Sequence, residues 1–479
     1  MILEYKNKDL IRGFVWSGLD KLGVVFLQLA LELILARLLL PKDYGVIGVV
    51  LVFISLAITF SEGGFSNALV HKLNRTETDF STVFYFNMIT SFLIVIIIFL
   101  IAPTVEKFFN ISGLTLVLRV ISVSIILNSV VLIHKVKLSI AMDFKSQAKY
   151  SLAAVFLSGI IGVYLAYHQY GVWALVFQNV AMAFFNAVFL WIGFRWFPKL
   201  EFSVESLKSL FSFGSKILAS SLLQAAYFNS YPFLIGRVLS TRDLGLYAKS
   251  NQFTLMPSSV LTTVLQRVLF PYFSSHQSDD ERIFGLNQLY TKLSCLIFFP
   301  LFFVMAMVAQ PLIIILFSEK WQDMTGIFVI FCVAYTFYPL IVNNMMMFQV
   351  KNKTSLFLKI EILTKIIGSV FLLATINRGL IAIAYGILAQ QIIQFIITSF
   401  FVQSVLNKKW LEQIKIILPF FFFSIGLLFL IRIGLDAIPL SLIWKLVLGL
   451  FFAVVGYMVF YFIFYRKDIM LIPKMIRGN

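Results

Sequence analysis

Apolar residues run along this chain in blocks of roughly 20, enough to cross about 30 Å of hydrocarbon as a helix, with short polar stretches between them. Inside lipid the backbone must satisfy its own hydrogen bonds, so each block is predicted to be helical. The pattern divides into about fourteen spans. The first six lie near 14–36, 46–61, 82–102, 114–134, 151–168 and 172–194, and the next six near 211–235, 250–270, 291–316, 325–348, 360–376 and 380–402. The last two lie near 414–433 and 442–464.

Some blocks carry a polar stripe. In span one, Ser17, Lys21, Gln28 and Glu32 recur at helical spacing and share a face. In span seven Lys216, Ser220, Gln224, Tyr227 and Tyr231 do the same. Span eight holds Gln252, Ser259, Thr263, Gln266 and Arg267, with Pro257 as a kink, and span two ends in Glu62-Gly63-Gly64. A charge at membrane depth costs roughly 2.5–3.5 kcal/mol on insertion scales, so such groups face a cavity or a partner. Spans one, two, seven and eight are therefore expected to line a polar cleft. Its candidate substrate-binding residues are Lys21, Gln28, Glu32, Glu62, Lys216, Gln224, Tyr227, Tyr231, Gln252, Thr263 and Arg267.

Plainer roles stand beside these. Lys21 and Arg267 lie near span ends, where long basic side chains also snorkel to the headgroups. Glu32 could pair with Lys21 or Arg37. Glu361 and Lys365, four residues apart, are expected to neutralise each other. Asn343-Asn344 reads as glue between helices. Arg119, in span four, has no partner that the sequence identifies.

A phrase is written twice. Leu33–Ile47, with Arg37, Asp43 and Gly45, returns as Phe233–Tyr247, with Arg237, Asp243 and Gly245. A weaker echo pairs the run from Gly171 with the run from Gly379. Spans one to six thus resemble spans seven to twelve. Six is even, so both copies cross in the same sense, as halves related by an axis along the membrane normal. The expected organisation is an N-lobe (1–200), a C-lobe (201–407) and two further spans with a basic tail (408–479). The duplicated turns are read as tight connections in which Asp43 and Asp243 cap the helices that follow.

Composition agrees. The chain is 60% hydrophobic and 13% charged, with a mean hydropathy of +0.94, whereas a soluble domain is about 25% charged. The net charge of +17 is distributed over short alternating loops, which argues against nucleic acid. The loop bias places both termini in the cytoplasm. The first apolar run is followed by no small-residue cleavage site and is expected to be retained. Cys295 and Cys332 sit in apolar runs and the four histidines form no ligand pair, so neither metal nor cofactor is expected. Asp279-Asp280 is the acidic pair outside the spans, in a short Ser-rich loop, and no phosphate loop, HExxH or nucleophile elbow occurs. Enzymatic activity is not expected.

The phrase Ala36-Arg37-Leu38-Leu39 with Pro41-Lys42-Asp43-Tyr44-Gly45, the Gly63-Gly64 pair, Gly171–Val176 and Met142-Asp143-Phe144-Lys145 resembles the polysaccharide-transport family of the multidrug/oligosaccharidyl-lipid/polysaccharide (MOP) superfamily. The resemblance runs over nearly the whole chain. It implies an all-α integral membrane protein with two pseudo-symmetric six-helix lobes around a V-shaped cavity, plus two C-terminal helices. It implies a bacterial inner-membrane flippase for undecaprenyl-diphosphate-linked oligosaccharide repeat units of O-antigen, capsule or exopolysaccharide, working by alternating access. The cationic role toward the diphosphate would fall on Lys216, with Lys21 and Arg267 as companions. Membrane lipid, H+ or Na+ as coupling ion and a polysaccharide polymerase machinery are the further partners implied; a monomer suffices. A cation-coupled multidrug exporter of the same fold, using Glu32 and Glu62, is the alternative, ahead of a membrane glycosyltransferase or polymerase.

Overall fold

The computed structural model describes residue 23, residues 26–409 and residues 411–465, apart from the side chains of Arg267, Val268 and Pro271. The described residues are almost entirely helical. Helix α1 covers 26–38, followed by α2 (Pro41–Glu62), α3 (Phe65–His71), α4 (Glu77–Phe109), α5 (Leu114–Ile140), α6 (Phe144–Tyr167), α7 (Val172–Gly193), α8 (Val204–Val238) and α9 (Thr241–Ser275). Then come α10 (Asp280–Met307), α11 (Ala309–Phe317), α12 (Met324–Tyr335), α13 (Tyr338–Val350), α14 (Thr354–Thr375), α15 (Leu380–Val405), α16 (Leu411–Ala437) and α17 (Leu442–Phe464).

Among the described residues, ten segments are long and apolar enough to cross a membrane, with α2–α3 and α12–α13 each counting as one. The long helices outside that set are α8, α9 and α14, which carry Lys216, the polar positions of span eight, and the Glu361–Lys365 pair. Several helices outrun the expected spans, because apolarity marks only the hydrocarbon part of a helix that continues to the headgroups. Span ten breaks between α12 and α13 just before Pro339, as expected for a residue that lacks an N–H and disfavours helix before it.

Capping explains local starts. Thr76 Oγ1 accepts the Asp79 N–H at 3.2 Å while Asp79 Oδ2 accepts the Thr76 N–H at 2.8 Å, so α4 begins with a reciprocal capping box. Lys72 closes the same corner through an ion pair to Asp79 at 2.8 Å. Met142 takes a positive φ and Asp143 caps α6 by accepting the Ser146 N–H at 3.1 Å.

Arg119 has a definite role. Pro103 lies inside α4 and cannot donate to the carbonyl of Phe99, four residues back. Arg119 of α5 donates to that carbonyl through Nε at 3.3 Å and Nη2 at 3.1 Å. Its guanidinium also lies 5.5 Å from the centroid of the Phe99 ring. Arg119→Leu is therefore expected to cost about 1–3 kcal/mol by leaving the carbonyl unpaired. In a Pro103→Ala background the helix supplies its own donor and the penalty should shrink. Thermal denaturation of the four proteins in a double-mutant cycle tests this, and equal losses in both backgrounds would disprove the link.

Packing divides the chain into two compact units, Met1–Gly245 and Leu246–Asn479. The repeat-based boundary at 200 and this one at 245 differ because α8 packs on α2, α3 and α4. In the first unit α5 also packs on α4 and α7, and α7 on α6. In the second, α10 packs on α12, α16 and α17, and α15 on α12, α13 and α14. Buried amides fasten the second unit. Asn343 donates to Asn287 at 2.5 Å, and Asn344 and Gln413 exchange hydrogen bonds at 3.0 and 3.3 Å. Gln413 also accepts from Ser399 and donates to Thr291, tying α16 to α10, α13 and α15. The pairing expected of Glu361 and Lys365 is present at 2.8 Å, and both cysteines are buried.

Candidate functional site

The duplicated phrase places two glycines against each other's turns. Helix α2 begins at Pro41 and α9 at Thr241, and the starts of the two helices meet. A Cβ on Gly45 would stand 1.7 Å from the carbonyl oxygen of Thr241, and one on Gly245 would stand 1.8 Å from that of Pro41. Each copy of the phrase supplies the glycine that the other copy's backbone needs. The aspartates act as the third residues of their helices. Asp43 accepts the Leu40 N–H at 2.9 Å, and Asp243 accepts the Ser240 hydroxyl at 2.6 Å while Ser240 Oγ accepts the Asp243 N–H at 3.0 Å. Arg37 is exposed, and Arg237 stacks on Phe108 at 4.7 Å. Gly171 and Gly379, the anchors of the weaker echo, both precede helices as N-caps, and Gly171 lies against the Asp43 carboxylate.

From this crossing α2 runs antiparallel along α8. Val49 meets Gly236, Phe53 meets Phe233 with ring centroids 6.4 Å apart, and the Gly63-Gly64 elbow meets Gly214. Gly64 has a φ of +72°, and a Cβ there would lie 2.3 Å from the Gly214 carbonyl oxygen. One face of α8 is thereby occupied. Lys216, Ser220 and Gln224 point elsewhere and are exposed, with Tyr227 half-buried below them. Among the described residues Lys216 makes no ion pair. Tyr231 turns to the buried side, 7% exposed, with its ring 6.5 Å from that of Tyr227. The accessible stripe is therefore Lys216, Ser220, Gln224 and Tyr227, shorter by one residue than the periodicity suggests. Tyr231 stands about 40° around the helix from the fully buried Ile235 at 100° per residue, and shares its packed side.

Gln28 and Glu32 of α1 are half-buried, and the Glu32 carboxylate interacts with the Tyr44 phenol. Lys21 lies outside the described residues, as does the side chain of Arg267. Glu62, at the end of α2, is exposed at the mouth of a small polar pocket shared with α4 and α5. In the second unit Gln252 accepts a hydrogen bond from Lys249 at 3.1 Å, and Thr263 is exposed and donates to the Ser259 carbonyl at 2.7 Å.

Three polar residues escaped the reading by spans. Lys249 is 2% exposed; the run Lys249-Ser250-Asn251-Gln252 was its signal. Asn87 is fully buried in α4. Lys135, one residue past the expected end of span four, belongs to α5, which continues to Ile140, and its ammonium acts on the Glu62 carboxylate. Its seven-residue spacing from Asn128 would have placed both on one helix face.

This arrangement, apolar helices long enough to span a bilayer with a polar, cationic stripe on one of the remaining helices, is that of a multi-pass membrane protein. The structure of the lipid II flippase MurJ in an inward closed conformation matches with a TM-score of 0.76 at 14% identity, covering 95% of this chain and 100% of that one. An inward-facing multidrug resistance MATE transporter of the MOP superfamily matches with a TM-score of 0.60 at 16% identity, covering 80% and 95%. At these identities the likeness is one of fold.

The model of the polysaccharide biosynthesis protein family matches residues 34–326, more than half of the chain, and the chain belongs to that family. The succinoglycan biosynthesis transport protein ExoT of Rhizobium meliloti (strain 1021) is 26% identical over 66% of this chain, which spans 64% of that relative's length. The lipopolysaccharide biosynthesis protein WzxC of Escherichia coli (strain K12) is 23% identical over 86% of this chain and 85% of its own.

Proposed function

We propose that this protein is a flippase that moves undecaprenyl-diphosphate-linked oligosaccharide repeat units from the cytoplasmic to the periplasmic leaflet of a bacterial inner membrane, by alternating access. The observation that carries the reading is the exposed cation of Lys216, heading a polar stripe on a helix whose other side is occupied by packing. A diphosphate with its sugars cannot enter hydrocarbon bare. A lysine ammonium offers charge-assisted hydrogen bonds to phosphate, and Gln224 and Tyr227 offer hydrogen-bonding and stacking surface to sugars. Membership of a polysaccharide biosynthesis family supports this substrate class over cationic drugs.

The test is reconstitution into liposomes with a fluorescent undecaprenyl-diphosphate oligosaccharide, its sugar read by accessibility on the two faces. A parallel sample is assayed for efflux of a cationic dye under H+ and Na+ gradients. Sugar translocation without dye efflux is the expected result. Dye efflux without sugar movement would transfer the assignment to a cation-coupled exporter and to the carboxylates Glu32 and Glu62.

A further inference from the structure

We infer that α14 and α15 form a neutral polar subsite at mid-membrane depth that binds hydroxyl groups of the transported oligosaccharide, with Gln391 and Gln394 as its contacts. The inference rests on the flippase reading above and adds a second place at which the substrate is held. The two helices are a hairpin closed through residues 376–379. On α15, Ile383, Ile387, Gln391, Gln394, Thr398 and Val402 recur at three- and four-residue spacing and share a face. Both ends of that face are packed, since Ile383, Ile387, Thr398 and Val402 are buried. Its middle is open: Gln391 and Gln394 are half-buried, and neither amide makes a side-chain hydrogen bond among the described residues. A helix of this length rises about 39 Å, and both amides stand near its middle, in a segment of mean hydropathy 2.0.

An amide without a partner is costly in hydrocarbon, so these two face a solvated or occupied crevice rather than lipid. Ile396 and Phe400, exposed on the other side of α15, mark the side turned to lipid. On α14 the matching stretch is charged but balanced. Gly386 of α15 packs against Phe371 and Thr375 of α14, and in an antiparallel pair that register puts Gln394 level with Lys365. Lys365 donates to Glu361 at 2.8 Å, with the two side chains 29% and 32% exposed, and the Ser369 hydroxyl donates to the Lys365 carbonyl at 3.0 Å. The ion pair cancels its own charge, so the patch draws neither a diphosphate nor a free ion by net charge. Each glutamine offers two N–H donors and a carbonyl with two lone pairs. Donors and acceptors side by side suit the neighbouring hydroxyls of a sugar, each of which donates and accepts at once. An acyl chain can satisfy neither.

The test reads binding to full-length protein in detergent micelles, so it does not depend on translocation. Two probes are titrated against tryptophan fluorescence: lipid-linked oligosaccharide extracted from the bacterium that makes the protein, and undecaprenyl diphosphate without sugar. The double variant Gln391→Leu, Gln394→Leu is expected to weaken binding of the sugar-bearing lipid about tenfold while the bare lipid and the melting temperature stay as in wild type. Lys216→Ala is expected to weaken both lipids. A second arm covers failure of the leucine variant to fold. Cys295 and Cys332 are buried, so a water-soluble thiol reagent should modify Gln391→Cys selectively, and the sugar-bearing lipid should slow that reaction more than the bare one. Equal weakening of both lipids by the leucine variant, no weakening of either, a Gln391→Cys thiol that the reagent cannot reach, or equal protection by both lipids overturns the subsite and leaves the flippase reading standing. Wild-type protein that binds neither lipid overturns the flippase reading itself, and the subsite with it.

Discussion

Gly45→Ala is expected to lose the folded protein or most of its stability. A methyl group at that position would stand 1.7 Å from the Thr241 carbonyl oxygen, which belongs to the backbone and cannot rotate away. The helix starts would have to separate, and the reciprocal contact of Gly245 with Pro41 would open with them. Overpacking in a close-packed interior typically costs 1–3 kcal/mol where side chains can yield. Here nothing flexible stands in the way, so a loss of at least about 3 kcal/mol is expected. Small residues at helix crossings are what allow backbones to approach this closely in membrane proteins. Gly285→Ala is the control: it lies inside α10 with nothing within 4 Å, and alanine there should be neutral or slightly stabilising. The measurement is the yield of monodisperse protein and its melting temperature. Gly45→Ala behaving like Gly285→Ala would mean that the crossing is not as tight as its geometry states.

Lys216→Ala should leave membrane insertion, yield and melting temperature near wild type while lowering oligosaccharide translocation about ten- to a hundredfold. The residue is exposed and, among the described residues, makes no ion pair. Removing it deletes hydrogen bonds to a charged group, worth about 1.5–3 kcal/mol each. Lys216→Arg keeps the charge and should retain a large part of the activity, whereas Gln224→Ala, about two helical turns further along the same stripe, should have the smaller effect. Unchanged flux in Lys216→Ala would remove it from the proposed site, even if the protein moves lipid-linked sugars.

The duplicated phrase shows how far sequence reading reaches. The repeat is visible at a glance, and tight turns with capping aspartates follow from Asp43, Asp243 and their glycines. That the two turns meet is not visible, because close approach depends on how α2 and α8 lie together. The same holds for Arg119. Its charge is obvious in span four, but its partner is a carbonyl made available by a proline on another helix, 16 residues away in the chain. Neither Pro103 nor Arg119 announces the other.

The candidate site was legible in proportion to helical periodicity. Lys216, Ser220 and Gln224 fall at four-residue spacing and emerge together, while Tyr231 drifts around the helix to the packed face and is buried. Glu62 was picked out for its charge. The pocket behind it needed Asn87 and Asn128, ordinary amides on α4 and α5, whose meaning comes from being brought to one place.

By itself, then, the sequence determined the helices, their apolarity, their internal repeat and the existence of polar stripes, since each rests on local composition and on a period of 3.6 residues. The tertiary structure alone decided which polar groups share a pocket, which glycines touch and which face of α8 stays open. Those outcomes depend on contacts between residues far apart in the chain, and no local pattern encodes them.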